Sequence, residues 1–163
     1  MQVRLVSAPL KIFIIGVGSP LMGDDGAGVE VVEALEGRAL GEGVRVIDGG
    51  TGGPALVSYF EEADVVILAD AADFGAPPGA VRVFEPGQID LEAAEVCISL
   101  HEADVAGALA LGRAMGVKLA PYYLVAVQPL RVESGIGLSE PVSKAIGEMA
   151  ERIIALVEKL KKP

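Results

Sequence analysis

Tryptophan and asparagine are absent from this 163-residue sequence, which holds one cysteine and one histidine. A lone cysteine, Cys97, excludes an internal disulfide and points to a reducing compartment. Aromatic residues are only 4 %, so the core has to be built from Val, Ile, Leu and Ala. Basic residues number 13 against 23 acidic ones, a net charge of −10. A chain this acidic repels phosphate backbones, and nucleic acid is not expected as a partner. No uncharged apolar run approaches the roughly 18 residues of a membrane span. The opening MQVRLVSAPLK lacks the apolar core and small-residue cleavage site of a signal peptide. A cytoplasmic location is therefore expected. The lack of asparagine, a heat-labile residue, is in keeping with a thermophilic source.

What is present is apolar material: 52 % hydrophobic residues against 22 % charged ones. That suffices for one ordinary domain across residues 1–163, with 1–10 as an extension or lead-in to the first strand. Lys11–Val17 (KIFIIGV) reads as a strand buried on both faces. A glycine-rich turn and a helix from about Asp25 to Leu35 follow, with Val29, Val32 and Leu35 on one face. Strands at Val44–Asp48 and Asp64–Asp70 flank a short helix at Pro54–Glu62. This βαβαβ order implies a parallel sheet with right-handed crossovers. The pattern then breaks. Ala80–Phe84 follows a short Gly/Pro-rich segment with no room for a crossover helix, so this strand is expected to be antiparallel and at an edge. A helix from about Ser99 to Met115, with Ser99 and Glu102 spaced as a capping box, precedes a fifth strand at Tyr123–Val127. The last helix runs from an N-cap at Ser139 to about Lys161. The expected fold is a three-layer α/β/α sandwich around a mixed, mostly parallel five-stranded sheet with one antiparallel edge strand.

In such sheets ligands bind outside the carboxyl ends of the strands. Asp24 and Asp25 follow strand one, Asp48 ends strand two, Asp70 ends strand three with Asp73 just beyond, and His101 falls in the first turn of a helix facing the same edge. Three chemistries compete there. Gly16-Val-Gly18 begins like a dinucleotide fingerprint, but Leu21 stands where the third glycine belongs, and two aspartates would oppose a pyrophosphate. A nucleophilic triad would have to include His101; there is no G-x-S-x-G elbow, and Cys97 reads as a buried small hydrophobe. Two carboxylates with one imidazole would suit a divalent transition metal with open coordination positions. Taken singly, Asp24 or Asp25 could be a helix cap, Asp70 a strand-end residue and His101 a surface residue. The functional reading rests on their convergence.

Several motifs fall in a telling order: Gly16-Val-Gly18-Ser-Pro-Leu-Met-Gly-Asp-Asp-Gly26, Asp48-Gly-Gly50, Asp70-Ala-Ala-Asp73-Phe-Gly75 with Pro78-Gly79, His101 after Ser99-Leu100, Val127-Gln128-Pro129, and Gly137-Leu-Ser-Glu-Pro-Val142. In this order and spacing, over about residues 11–160, the chain resembles the hydrogenase maturation proteases, endopeptidases that process nickel–iron hydrogenase large subunits. The resemblance implies an α/β/α sandwich with a mixed five-stranded sheet. It implies metal contacts at Asp25, Asp70 and His101, which would also be the catalytic residues. It implies nickel delivered by the substrate, with other divalent ions able to occupy the site. The implied reaction removes a C-terminal peptide from the nickel-loaded precursor of the large subunit, which would be the partner.

Three ligands with none to spare make a poor preformed metalloprotease site, but a site completed by the substrate's own nickel tolerates that. The alternatives are a non-catalytic nickel checkpoint or chaperone for the same precursor, and a small metal-dependent hydrolase of another substrate. Two departures stand out: Ser19 where the family commonly has Asn, and Glu102-Ala-Asp104 after the histidine where polar uncharged residues are usual. Asp24 or Asp73 could serve as a general base or simply orient loops. The glycine loops 49–53 and 135–137 are candidates for contact with the precursor.

Overall fold

The computed structural model describes residues 7–88 and 102–163, with the side chains of 102–104 outside that description. Five strands, β1 (Ile12–Val17), β2 (Val44–Gly50), β3 (Val65–Ala71), β4 (Val81–Phe84) and β5 (Tyr122–Val127), form one sheet in the order β2-β1-β3-β5-β4. All neighbours are parallel except β4, which runs antiparallel to β5 at the edge. The expected architecture is therefore the observed one, including the reversed edge strand.

The strands carry apolar side chains on both faces because helices cover both. On one face Ile12 and Ile14 of β1, Ile67 and Ala69 of β3 and Val125 and Val127 of β5 pack against α1 (Ala27–Leu35) and α4 (Glu140–Lys161). On the other, Phe13 and Ile15, Val66 and Leu68, and Leu124 and Ala126 pack against α2 (Ala55–Glu62) and α3 (Glu102–Ala114). The order of strands dictates this split. The chain moves outward from β1 to β2, then back past β1 to β3, and two right-handed crossovers in opposite directions place their helices on opposite faces. A switch point results at the carboxyl ends of β1 and β3, the place where open α/β sheets bind ligands.

Two differences from the sequence reading concern helix ends. The chain after β1 makes a 3-10 turn over Gly23–Gly26 before α1 begins at Ala27. Ser139 does precede α4 with extended backbone, but its side chain makes no cap bond to the helix; it is engaged elsewhere, as described below. The proposed capping box at Ser99 lies outside the described residues, as does Cys97.

Close packing of α1 on the sheet depends on glycine. A Cβ on Gly28 would overlap the carbonyl oxygens of Ala69 and Val17, and one on Gly16 would overlap the carbonyl oxygen of Gly28. These obstacles are backbone, so a side chain here can be accommodated only by lifting the helix. Gly28→Ala is expected to destabilise the fold by about 2–3 kcal/mol, as overpacking does, lowering the melting temperature by several degrees in a thermal unfolding experiment. An unchanged melting temperature would show that the helix shifts without cost.

Candidate active site

Strand geometry brings the sequence-nominated acids to one edge. Gly16 of β1 is in register with Asp48 of β2 and with Ala69 of β3, the residue before Asp70. The 3-10 turn carrying Asp24 and Asp25 packs on β3. Asp25 and Asp70 are 1 % and 2 % exposed, an unusual state for carboxylates. Asp25 Oδ2 accepts a 2.8 Å hydrogen bond from the Ser19 amide, and Asp70 Oδ1 one from the Ala71 amide at 2.8 Å. Gly18, at φ +128°, leaves room for the Asp25 carbonyl where a Cβ would overlap it, and its own amide donates to Gly50 O at 2.7 Å. The loop after β2 is thus tied to the loop after β1.

Side-chain alternation gives Asp70 a definite face. It shares the parity of Val66 and Leu68, the side of the sheet covered by α2 and α3. His101 is the residue immediately before Glu102, where α3 starts; it lies outside the described residues. Among the described residues no group of three or more His, Cys, Asp or Glu is arranged to hold a metal ion. The donor chemistry that is described consists of two buried carboxylates, which suit a divalent cation once an imidazole joins them.

Asp24 has a different task from its neighbour. Its Oδ2 accepts from the amides of Leu130 (2.8 Å) and Arg131 (3.0 Å) and from the Ser139 hydroxyl (2.8 Å), while Oδ1 accepts from the Ser139 amide (2.6 Å). Its own amide donates to Arg131 O at 3.1 Å. Burial pushes the Asp24 pKa up, but the Arg131, Ser139 and Leu130 bonds outweigh it and hold the carboxyl below its ordinary value of 3.8. A fully buried carboxylate engaged by four donors is a clasp for the loop before α4, and it is poorly placed to take a proton in a reaction. The serine read as a helix cap spends its hydroxyl here.

Asp73 likewise orients a loop. Gln128 Nε2 donates to Asp73 Oδ1 at 3.0 Å, and the Gly75 amide donates to the same oxygen at 3.1 Å. The Gln128 bond, then that from Gly75, holds the carboxyl below its ordinary value. Gln128 Oε1 accepts from the amides of Phe74 (2.9 Å) and Ala76 (3.2 Å). One buried glutamine at the end of β5 therefore braces the loop that leaves Asp70. Sequence reasoning placed Gln128 in a motif without a role; its signal was a lone amide side chain ending an apolar strand. Among the described residues, a hollow lined by Leu109, Arg113, Val117 and Tyr122 opens at the amino end of β5, away from the acids.

The fold and edge define an α/β/α protein with buried acids at the carboxyl ends of its parallel strands. A family model described as HycI, hydrogenase maturation protease, matches residues 29–156. The hydrogenase expression/formation protein HupM of Azotobacter chroococcum is 38 % identical over 134 residues, 81 % of this chain and 64 % of that protein. The chain thus spans slightly less than two thirds of HupM. The hydrogenase 2 maturation protease of Escherichia coli is 32 % identical over 148 residues, 90 % of each chain. The solved structure of the hydrogenase maturating endopeptidase HybD from E. coli is similar with a TM-score of 0.81 at 31 % identity, covering 92 % of this chain and 93 % of that one. The chain belongs to the hydrogenase maturation protease family. The described helices include none long and apolar enough to cross a membrane.

Replacing Asp24 by Asn is expected to destabilise the protein by about 2–3 kcal/mol at neutral pH, the scale of hydrogen bonds to a charged acceptor. Because the folded-state pKa lies below 3.8, the unfolded chain binds the proton first as pH falls. The carboxylate's contribution is complete above the unfolded value and is lost as pH falls through the folded one. The stability gap between wild type and Asp24→Asn should narrow over that acid range in urea titrations. A gap independent of pH would refute the clasp's ionic character.

Proposed function

We propose that this protein is an endopeptidase that removes a C-terminal peptide from the nickel-loaded precursor of a nickel–iron hydrogenase large subunit. Family membership supports the reaction class. The observation that carries the reading to this chain is the pair of buried carboxylates, Asp25 and Asp70, at the switch point between β1 and β3. Asp25 and Asp70 offer carboxylate oxygens, and His101 a neutral imidazole nitrogen, to the nickel that the precursor brings. A divalent cation held by these residues would supply Lewis acidity, for the scissile carbonyl or for a water.

The protein's own contribution is positional. The Ser19 amide orients Asp25, the Ala71 amide orients Asp70, and Gln128 fixes the loop beyond Asp70. Asp24 is not the general base, since its lone pairs are spent on the loop before α4. Recognition of the substrate's metal makes cleavage a checkpoint: precursor without nickel completes no site and is not cut.

Intact-mass spectrometry of the cognate precursor, with and without nickel, tests this directly. Loss of one defined C-terminal peptide only from nickel-loaded precursor is expected. Asp25→Ala and Asp70→Ala should each abolish that loss while retaining a cooperative melting transition. Cleavage without nickel would remove the checkpoint, and full processing by either variant would remove the assigned site. Stable binding of nickel-loaded precursor with no cleavage would favour a checkpoint without peptidase activity.

A further inference from the structure

Four of the seven large hydrophobic side chains exposed among the described residues lie on two short loops beside Asp25: Leu21 (64 % exposed), Leu130 (57 %), Val132 (40 %) and Ile136 (85 %). A single exposed leucine needs no explanation, but four exposed apolar side chains on two loops bonded to each other do. The two loops are stitched together. The Gly23 amide donates to Gly135 O and the Gly135 amide to Leu21 O, both at 2.9 Å, and Met22 and Gly135 form a parallel bridge. Asp24 bonds the amides of Leu130, Arg131 and Ser139 from beneath. Leu21 and Ile136 flank that bridge on an apolar ledge whose backbone is already ordered, so a partner seated there pays little of the usual loop-ordering cost.

We infer that this ledge docks an apolar segment of the precursor next to the peptide to be cut, an inference that rests on the function proposed above. Two observations select the precursor over a second copy of the chain. The ledge is continuous with the acid-lined edge: Leu21 lies in the same turn as Ser19, whose amide bonds Asp25. A partner on it is led onto the reacting groups. The neighbouring rim also carries exposed Asp48 and Asp73, and the chain has a net charge of −10. Two copies meeting through this edge would bring acid against acid, whereas a precursor that arrives with a bound cation brings the complementary charge.

The test uses purified nickel-loaded precursor and two double variants. Leu21→Ser with Ile136→Ser alters the ledge; both side chains are exposed, so an unchanged melting temperature is expected. Leu111→Ser with Met115→Ser alters exposed apolar residues at the end of α3. The ledge variant should raise Kd, read by biolayer interferometry, and KM for processing by roughly tenfold or more, as loss of interface anchors does, with kcat unchanged. The α3 variant should change neither. Unaltered Kd in the ledge variant overturns the proposal. So does a wild-type dimer, seen in sedimentation, that the ledge variant dissolves without weakening precursor binding. Wild type that binds precursor but never cuts it defeats the peptidase reading alone, and the ledge is then judged on Kd. Wild type that neither binds nor cuts defeats both.

Discussion

A Cβ on Gly16 or Gly28 would intrude on main-chain carbonyls of the opposing element, so the start of α1 lies directly on the backbones of β1 and β3. Everything at the ligand edge follows from that contact. With α1 pressed to the sheet, the connection from Val17 to Ala27 is forced into a tight excursion over the carboxyl ends of the strands, closed by a 3-10 turn. Its geometry admits Asp25 beneath Ser19 only because Gly18 has no side chain. A helix held farther off by even one methyl group would carry the two aspartates outward, away from β3 and Asp70.

The two adjacent aspartates divide the work by direction. Asp25 faces the turn it belongs to and stays at the sheet edge. Asp24 faces the loop more than a hundred residues away in sequence and satisfies three of its amides and a hydroxyl. Buried carboxylates are costly unless bonded, and Asp24 meets that condition with donors that would otherwise be orphaned before α4. The same bonds make the first and last loops of the sheet edge one unit, so the position of Asp25 and the shape of the neighbouring loop are not independent.

The fold was legible because its signals are local. Apolar runs of strand length marked β1, β3 and β5, helical spacing marked α1, α3 and α4, and a connection too short for a helix marked β4 as reversed. That Asp25 and Asp70 fall at one edge of the sheet was legible from one topological rule about strand ends. The clasp was not. Ser139 has the residue type and extended backbone of a helix cap, and local rules assign its hydroxyl to α4; a buried carboxylate 115 residues away in sequence competes for it and wins. Gln128 was equally opaque, because its partners at 73–76 are set by the register of β3 against β5. Long-range polar bonds carry no periodicity, and only the folded arrangement discloses them.

Under the proposed function, the edge recognises its partner through two dissimilar features. Asp25 and Asp70 are withdrawn from solvent, and each accepts an amide hydrogen bond. Two carboxylates suit a cation, and a cation supplied by the substrate is one the protein need not retain between turnovers. The apolar ledge has the reverse character: it favours any suitably shaped protein surface and is indifferent to metal. The carboxylates alone do not distinguish a loaded precursor from free nickel, and the ledge alone does not distinguish it from an unloaded one. Because the Asp24 clasp holds ledge and carboxylates in one frame, only a ligand that presents apolar surface and metal at the matching separation satisfies both together, and the selectivity of processing lies in that fixed separation.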